Sequence, residues 1–487
     1  MNSALHWFRR DLRLADNKSL AAALAGFARV HCVFVFDTEI LDALQPRADR
    51  RVEFILRSVA ELAVALEAQG SGLIVLHGRA RDEIPRLARQ LQVACVFANR
   101  DYEPAAIARD ASVGKALSDD GIAFVRTKDQ VIFEQDELLS GEARPYTVYS
   151  AYRNAWLKRL PEADLEPAPS ADARGRLAPL PAPWGGSASL PSAQGIPSLQ
   201  DLGFEASNLL QAGFEPGAAG AEHALQAFLP RLRAYRQARD FPAEDGVSYL
   251  SVHLRFGTIP IRRLVTEALR DASDGARGWL DELIWRDFYF SILYQFPHVV
   301  GHAFRRELEQ LAFTNREDWF EAWCRGQTGY PLVDAGMRQL NQTGYMHNRL
   351  RMVTASFLVK DLQVDWRWGE RYFAERLNDY DLAANNGGWQ WSASTGNDAQ
   401  PWFRIFNPVL QSKRFDPAGR FIRRYVPEVA DCDAGSIHEP WKASRRGPGP
   451  GEYLPPIVDH LEARQVTLRM FEAAARGKRE PADGNRS

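Results

Sequence analysis

The sequence predicts a two-part protein: an N-terminal α/β domain on a doubly wound parallel sheet, followed by an all-α C-terminal domain. Three observations carry this. Over the first 135 residues, short β-rich runs alternate with amphipathic stretches, the pattern of a parallel sheet covered on both faces. From Ala219 onward the apolar residues recur with a helical period. Between them, residues 161–198 are rich in Pro, Ala, Ser and Gly and hold too little apolar surface to order strongly. The expected boundaries are 1–135 for the Rossmann-like α/β domain, 136–218 for the connection and 219–487 for the helical domain.

The elements follow in order. The β-rich runs are Ala4–Phe8, Val30–Phe36, Leu73–His77, Ala94–Ala98 and Ile122–Arg126. The stretch Val52–Gln69 between two of them is apolar at i, i+3, i+4 and i+7, as an amphipathic helix requires. Neither GxGxxG nor GxxxxGK[ST] follows the first strand, so the usual phosphate cradles of this architecture are missing. In the helical domain Phe241–Pro242, Phe296–Pro297 and Asn407–Pro408 mark loops.

Composition excludes several classes. Net charge is −2, so any nucleic-acid contact must use a local basic patch. The four cysteines (Cys32, Cys95, Cys324 and Cys432) are scattered, with no CxxC pair. That argues against a disulfide framework or a zinc site and fits a reducing, cytoplasmic setting. No signal peptide is expected at the N-terminus, and no apolar run is long enough to span a bilayer. Nine of the 13 tryptophans fall between Trp279 and Trp402. Indoles fill cores, but they also stack on flat ligands and carry electrons.

Four stretches of the helical domain carry the chemistry. In Ser248-Tyr-Leu-Ser251, two hydroxyls beside a helix start can hold a phosphate or cap the helix. In Trp279-Leu-Asp-Glu282-Leu-Ile-Trp285-Arg286, positions 279, 282 and 286 share a helical face. That face offers a flat surface, an acceptor and a cation, or a plain Glu282–Arg286 surface pair beside core indoles. In Asn348-Arg349-Leu-Arg351-Met352, one short helix carries an amide, two cations and a thioether. These suit a pocket for a polar, flat, anionic ligand, or a solvated face. In Asp379-Tyr-Asp381-Leu-Ala-Ala-Asn385-Asn386-Gly-Gly-Trp389-Gln-Trp391, two acids precede a small-residue segment along which a flat ligand can lie. Packing alone explains this segment poorly, because Gly inside a helix costs about 1 kcal/mol relative to Ala.

With these stretches in view, the chain resembles the photolyase/cryptochrome family of blue-light flavoproteins, most of all its class I cyclobutane-dimer photolyases. The likeness begins at Trp7-Phe-Arg-Arg-Asp-Leu-Arg-Leu-Ala-Asp-Asn17 and continues through Pro145-Tyr-Thr-Val-Tyr. It closes with Phe403-Arg-Ile-Phe-Asn-Pro408 and Glu439-Pro-Trp441. It implies that the helical domain binds FAD, active as FADH⁻. The phosphates would lie on Tyr235 and Val247, Ser248, Tyr249, Leu250 and Ser251. Val247 stands where many members have Thr, and Tyr249 where many photolyases have Arg. Trp279, Glu282 and Arg286 would also border the cofactor. Asp379 and Asp381 would take its ribityl and ribose side, with Arg351 paired to Asp379. Asn385 would face the flavin N5, where an amide can donate or accept. Asn at that position favours repair over signalling.

The same resemblance assigns Trp285 and Trp391 as the walls of a pocket for a flipped-out pyrimidine dimer. Glu282, Asn348, Arg349 and Met352 would line its polar side. The sequence Met346-His347-Asn348-Arg349 differs from the (6-4) photolyases, which carry His residues as the acid there, so the expected lesion is the cyclobutane dimer. Trp389, Trp366 and Trp323 match the family's electron relay, with Trp389 nearest the flavin and Trp323 at the surface. Trp319, Trp368 and Trp402 keep a plain core or surface reading. The implied reaction is light-driven electron transfer to the dimer and back, without a metal.

The expected partner is UV-damaged DNA, bound by a monomer. Its contacts would come from Arg239, Arg286, Arg349, Arg404, Lys413 and Arg414, with Arg351 and Arg420, Arg423 and Arg424 as further candidates. Lys413, Arg414, Arg420, Arg423 and Arg424 face a single acid, Asp416, in the sequence. A second, light-harvesting chromophore is common in this family's α/β domain. Here Tyr102-Glu103-Pro104-Ala105-Ala106 lacks the Asn-Glu pair of folate binders, and Gly301 replaces a Lys. That argues against methenyltetrahydrofolate. Asn99-Arg-Asp101-Tyr-Glu103 leaves a deazaflavin, a flavin or no antenna open. The competing readings are a cryptochrome photoreceptor and a DASH-type single-strand photolyase. Asn385 and a tail of only Gly477–Ser487 speak against the first, and Trp389-Gln-Trp391 against the second.

Overall fold

The computed structural model describes residues 3–169, 175–181, 195–442 and 453–476. They pack as two compact units. The first comprises Met1–Pro145, Arg153–Arg233 and Ser248–Tyr294, the second Tyr146–Tyr152, Ala234–Val247 and Gln295–Ser487.

In the first unit the β-rich runs form five parallel strands, β1 (Ser3–Phe8), β2 (Arg29–Asp37), β3 (Leu73–Gly78), β4 (Cys95–Asn99) and β5 (Ala123–Thr127). Their order is β3-β2-β1-β4-β5, so the winding reverses between β1 and β4. Period-two alternation sorts the side chains. Phe8, Cys32, Phe34, Phe36 and Phe97 pack with Leu20 and Leu24 of the helix Lys18–Gly26 and Phe54 and Leu62 of the helix Arg50–Glu67. Leu5, Trp7, Val33, Val35, Val96 and Ala98 pack with Ile84 and Leu87 of the helix Ala80–Gln90 and Val113 and Leu117 of the helix Pro104–Asp119. A sheet buried on both faces needs apolar residues at nearly every strand position, which is why the runs were legible.

This unit also takes in Ser248–Tyr294, a segment that sequence periodicity groups with the helical domain. Buried charge holds it there. Asp287 accepts the Ile132 N–H at 3.0 Å and the Trp156 indole N–H at 3.1 Å. Arg262 pairs with Asp16 at 2.7 Å and Asp129 at 2.8 Å, and Asp129 also takes Arg13 at 2.7 Å. Breaking such a buried pair on one side costs about 3–5 kcal/mol, because the other charge is left unpaired. The partners lie 116 to 246 residues apart, beyond the reach of any local pattern.

The second unit is helical. Its helices include Glu317–Arg325, Pro331–Thr343, Asn348–Lys360, Trp366–Arg376, Leu382–Ala393, Pro408–Phe415 and His460–Arg476. Pro331 and Pro408 occupy first turns, and Asp365, Asp381 and Asn407 cap N-termini with their side chains. Gly326 and Gly344 close helices at φ 64° and 69°. Trp323, Trp366 and Trp389 lie in the core with Leu350, Phe357 and Phe373. No described helix is long and apolar enough to cross a membrane. Residues 170–174 and 182–194 of the expected connection, and the expected short tail Gly477–Ser487, lie outside the described residues.

Candidate functional site

The helix Leu382–Ala393 runs unbroken through Gly387 and Gly388. Asp381 starts it by accepting the Ala383 N–H at 3.1 Å. Buried amides hold it in place. Asn386 donates to the Val299 carbonyl at 2.9 Å and Gln390 to the His302 carbonyl at 3.1 Å, while the Phe304 N–H donates back to Gln390 at 2.8 Å. Asn385 and Trp389 share the buried face, and Asn385 Nδ2 donates to the Glu370 carbonyl at 3.1 Å. Its Oδ1 has no hydrogen-bond partner among the described residues. Ala384, Gly388 and Trp391 form a more accessible stripe at i, i+4 and i+7. A Cβ added at Gly388 would meet nothing within 4 Å, so the backbone is open to a flat ring there.

The helix Asn348–Lys360 supplies the second set. Arg351 grips Asp379 through both carboxylate oxygens, at 2.8 and 3.1 Å, and donates to the Met346 carbonyl at 2.8 Å. This is the pair the resemblance implies. Asn348 is exposed and Met352 half-buried, one turn apart. Arg349 is already engaged: it donates to Asp240 at 2.8 Å and lies 4.4 Å from the Phe415 ring centroid. His347 caps the helix by accepting the Arg349 N–H at 3.2 Å. Burial pushes its imidazole down to about 4, so it is neutral at physiological pH. Tyr235 is buried with Arg239 stacked 5.5 Å above it.

Ser248, Tyr249, Leu250 and Ser251 and the candidates from Trp279 to Arg286 sit in the first unit, and Val247 in the second. Ser248 Oγ accepts the Leu250 N–H at 3.4 Å, and the helix Ser251–Phe256 starts at Leu250 with no side-chain cap. Tyr249 is exposed at φ 54°, a left-handed conformation that strains a bulky residue. On the helix Asp274–Gln295, Glu282, Trp285 and Arg286 lie half-buried on the accessible side. Trp285 tilts against Tyr289 at 5.4 Å. Trp279 is buried, 5.0 Å from the Phe228 ring. Arg286 donates to the Gln130 carbonyl and stacks 4.5 Å from Phe290.

The indole cluster corrects one expectation. Trp323 is not at the surface: its exposure is 0 %. It is sandwiched between Phe320 at 5.9 Å and Phe373 at 5.9 Å, and its indole N–H donates to the Thr354 carbonyl at 3.0 Å. It lies 6.1 Å from Trp389. Trp389 also seats its benzo edge on Gly369, where a Cβ would come within 2.1 Å of that ring. Gly369 lies one turn beyond Trp366 on the same helix, so Trp389 abuts the helix face that carries Trp366.

Two domain models of known proteins match the chain. The model described as DNA photolyase covers residues 4–172, and the FAD binding domain of DNA photolyase covers residues 279–473. A Halobacterium salinarum protein named deoxyribodipyrimidine photo-lyase is 40 % identical, over 96 % of this chain and 99 % of its own. The chain belongs to the DNA photolyase family. Solved structures agree on the fold. A photolyase from Sulfolobus tokodaii with two FAD molecules is 35 % identical, with TM-score 0.79 over 97 % of this chain and 100 % of that one. A Synechocystis cryptochrome is 28 % identical, with TM-score 0.86 over 96 % and 99 %.

The photolyase site residues fit FAD. The open backbone at Gly388 suits a planar ring, the Asn385 carbonyl oxygen suits a ring donor, and the buried Trp389 indole N–H lacks a partner among the described residues. The basic candidates divide. Lys413 is paired with Glu439 at 2.7 Å, Arg420 is paired with Glu244, and Arg423 donates to the Cys432 carbonyl at 2.6 Å. Asp416 does not face them. It is buried and caps the helix Arg420–Tyr425 by accepting the Ile422 N–H at 2.8 Å. Arg404, Arg414 and Arg424 form no ion pair among the described residues. Sequence reasoning missed Asp240, Gly369 and Glu370. Only Gly369 left a signal, a glycine one turn after a tryptophan inside a helix.

Proposed function

We propose that this chain is a deoxyribodipyrimidine photo-lyase, a carbon–carbon lyase that splits cyclobutane pyrimidine dimers in DNA with light. The observation that carries the reading is the capped helix Leu382–Ala393, which sets Asn385, an open glycine backbone and Trp391 along one rigid element. Reduced FAD, when bound, supplies the photoexcited electron donor. Asn385 presents an oxygen to the flavin, and Asp379 and Asp381 take its hydroxyl-bearing chain. The Arg351 clamp keeps Asp379 in place. Within the second unit, Trp391 offers a flat surface to an unstacked base and Asn348 and Met352 supply polar and soft contacts; within the first, Trp285 and Glu282 offer a flat surface and an acceptor. Glu282 hydrogen-bonds a base edge and steadies the charge that develops there.

Helix-capping His347 supports the choice of lesion, since burial keeps it from being an imidazolium acid at physiological pH. Arg404 and Arg414, which form no ion pair among the described residues, are the candidates for DNA phosphates, whereas Arg349 and Lys413 reach DNA only by leaving Asp240 and Glu439. Asn99, Asp101 and Glu103 are hydrogen-bonded to Asp11, Arg10 and Arg255. The likeness to a Sulfolobus tokodaii photolyase with two FAD molecules supports a second chromophore, with a deazaflavin or a flavin as the candidates. The protein acts as a cytoplasmic monomer.

The test uses purified, chemically reduced protein and an oligonucleotide with one cyclobutane thymine dimer. Under near-UV or blue light the thymine absorbance is expected to return, and in the dark it is not. No recovery with FAD bound and reduced would move the reading to a photoreceptor, which the likeness to the Synechocystis cryptochrome fold makes the second choice.

A further inference from the structure

A relay that reduces flavin must end where a solution reductant can reach it. Trp389, Trp366 and Trp323 are 2 %, 1 % and 0 % exposed, so none of them is that end. Three half-buried aromatic residues lie nearby: Trp319, Tyr372 and Trp368. Trp319 makes no ring contact with the cluster among the described residues, and Arg316 lies 4.3 Å from its centroid. A cation at that distance opposes the loss of an electron. Tyr372 touches Trp323 at 5.8 Å, but oxidising a phenol requires losing its proton. Its hydroxyl donates to Asn341 Oδ1 at 2.7 Å and the Cys324 carbonyl at 3.1 Å, neither of which is a base. Burial raises its pKa, and Arg376 sits 5.4 Å from its ring.

Trp368 lacks these obstacles. Its ring meets Phe320 edge-on at 5.3 Å, and Phe320 stacks on Trp323 at 5.9 Å with 19° between planes. Among the described residues no cation lies over it and no group takes its indole N–H, which is not buried as the Trp389 N–H is. Trp366, the second member that the resemblance gives the relay, has no ring contact with Trp389 or Trp323 among the described residues, and Arg367 lies 4.9 Å from its centroid. We propose that Trp368 is the surface terminus of the electron relay, reached from Trp389 through Trp323 with Phe320 as the packed bridge. The inference rests on the FAD-dependent reading above.

The electrons balance as follows. One electron leaves Trp389 for oxidised flavin, Trp323 refills Trp389, and Trp368 refills Trp323 across Phe320, which is not itself oxidised. The Trp368 radical cation releases its indole proton to water. A small thiol in solution then returns one electron and one proton to Trp368 and becomes a thiyl radical.

The experiment compares wild type, Trp368→Phe and Tyr372→Phe as FAD-loaded proteins under blue light with excess thiol. Flavin reduction is followed by absorbance, and a spin trap added without thiol is located by peptide mass spectrometry. Trp368→Phe is expected to lose most of its photoreduction and the adduct at position 368. Tyr372→Phe is expected to match wild type. Wild-type photoreduction in Trp368→Phe would overturn the proposal, as would a trap adduct at Tyr372 instead of Trp368. Dimer repair by chemically reduced Trp368→Phe tests the proposed function separately, because repair does not draw on the relay.

Discussion

The carboxyl end of the parallel sheet and the Asn385–Trp389 stretch of the helix Leu382–Ala393 both carry buried polar groups, yet they are built in opposite ways. A doubly wound sheet offers a ligand crevice where its winding reverses, here between β1 and β4. In this chain that place is closed with side chains. Arg9 meets Asp110, Arg10 meets Asp101 and Glu103, and Asn99 joins Asp11, Asn17, Ser19 and Thr127. Along the helix the polar groups are instead left part-satisfied beside small residues: the Asn385 carbonyl oxygen, the Trp389 indole N–H and the open Gly388. At the sheet the side chains bond one another, while along the helix acceptor and donor groups stay available, which is where we propose that the flavin binds. Hydrogen bonding separates the two in degree: four bonds converge on Asn99 at the sheet, although Ser19 Oγ and His6 Nδ1 nearby lack partners among the described residues.

The largest effect should follow from opening the closed region. Asn99→Ala removes four side-chain hydrogen bonds, to Asp11 at 2.6 Å, Asn17 at 2.8 Å, Ser19 at 3.1 Å and Thr127 at 2.7 Å. Buried donors and acceptors are left without partners, so we expect a loss of about 3 kcal/mol in denaturant unfolding. The folded fraction should still bind FAD normally. A change of less than half that size would mean that water replaces the amide and that the region is less closed than described.

The opposite substitution tests the open region. Gly388→Leu puts a side chain where a Cβ meets nothing within 4 Å among the described residues. Helix propensity favours Leu over Gly by somewhat under 1 kcal/mol, so the melting temperature should hold or rise. FAD affinity should fall about a hundredfold, which corresponds to about 2.7 kcal/mol. Titration of the apoprotein with FAD decides this. Wild-type affinity in a stable variant would show that the open stripe is ordinary surface.

Legibility in the sequence follows the same division. The strands could be read because burial on both faces writes a local pattern, and the helix Leu382–Ala393 because two glycines between Asn386 and Trp389 are poor packing material. Arg351 and Asp379 came from resemblance, and their geometry agrees with it. What could not be read was long-range pairing. Arg349 looks free until Asp240 arrives from 109 residues away, and Asp416 looks like a surface acid until the Phe421 and Ile422 N–H groups close on it. Trp323 sits on a helix flanked by Glu321 and Arg325, which resembles a surface. Phe373, fifty positions later, completes its burial.

The pH response sharpens the contrast most finely, because the two regions should differ in sign. Burial alone would raise the Asp101 carboxyl, but the Arg10, Arg9 and Arg109 guanidiniums hold it well below the usual carboxylate range. Its stabilisation is present above the unfolded carboxylate pKa and is lost only as strong acid protonates it. Glu370, beneath Asn385 and Asn386, goes the other way. Burial pushes it up to about 7, against a hydrogen bond from Asn386 at 2.9 Å and the charge of Arg367. The native state thus favours its protonated form. That stability is complete below the ordinary glutamate pKa of about 4.3 and is lost as pH rises through about 7. Glu370→Gln keeps the acceptor for Asn386 and removes the titration. Because the side chain is only half-buried, the shift is discounted, and the variant should be more stable than wild type by about 1–2 kcal/mol at pH 8. The two proteins should converge near pH 4.5, where the wild-type carboxyl is already largely protonated. Unfolding curves of both proteins between these limits provide the measurement. A constant difference across the range would mean that Glu370 is solvated and that the polar layer under Asn385 carries no proton.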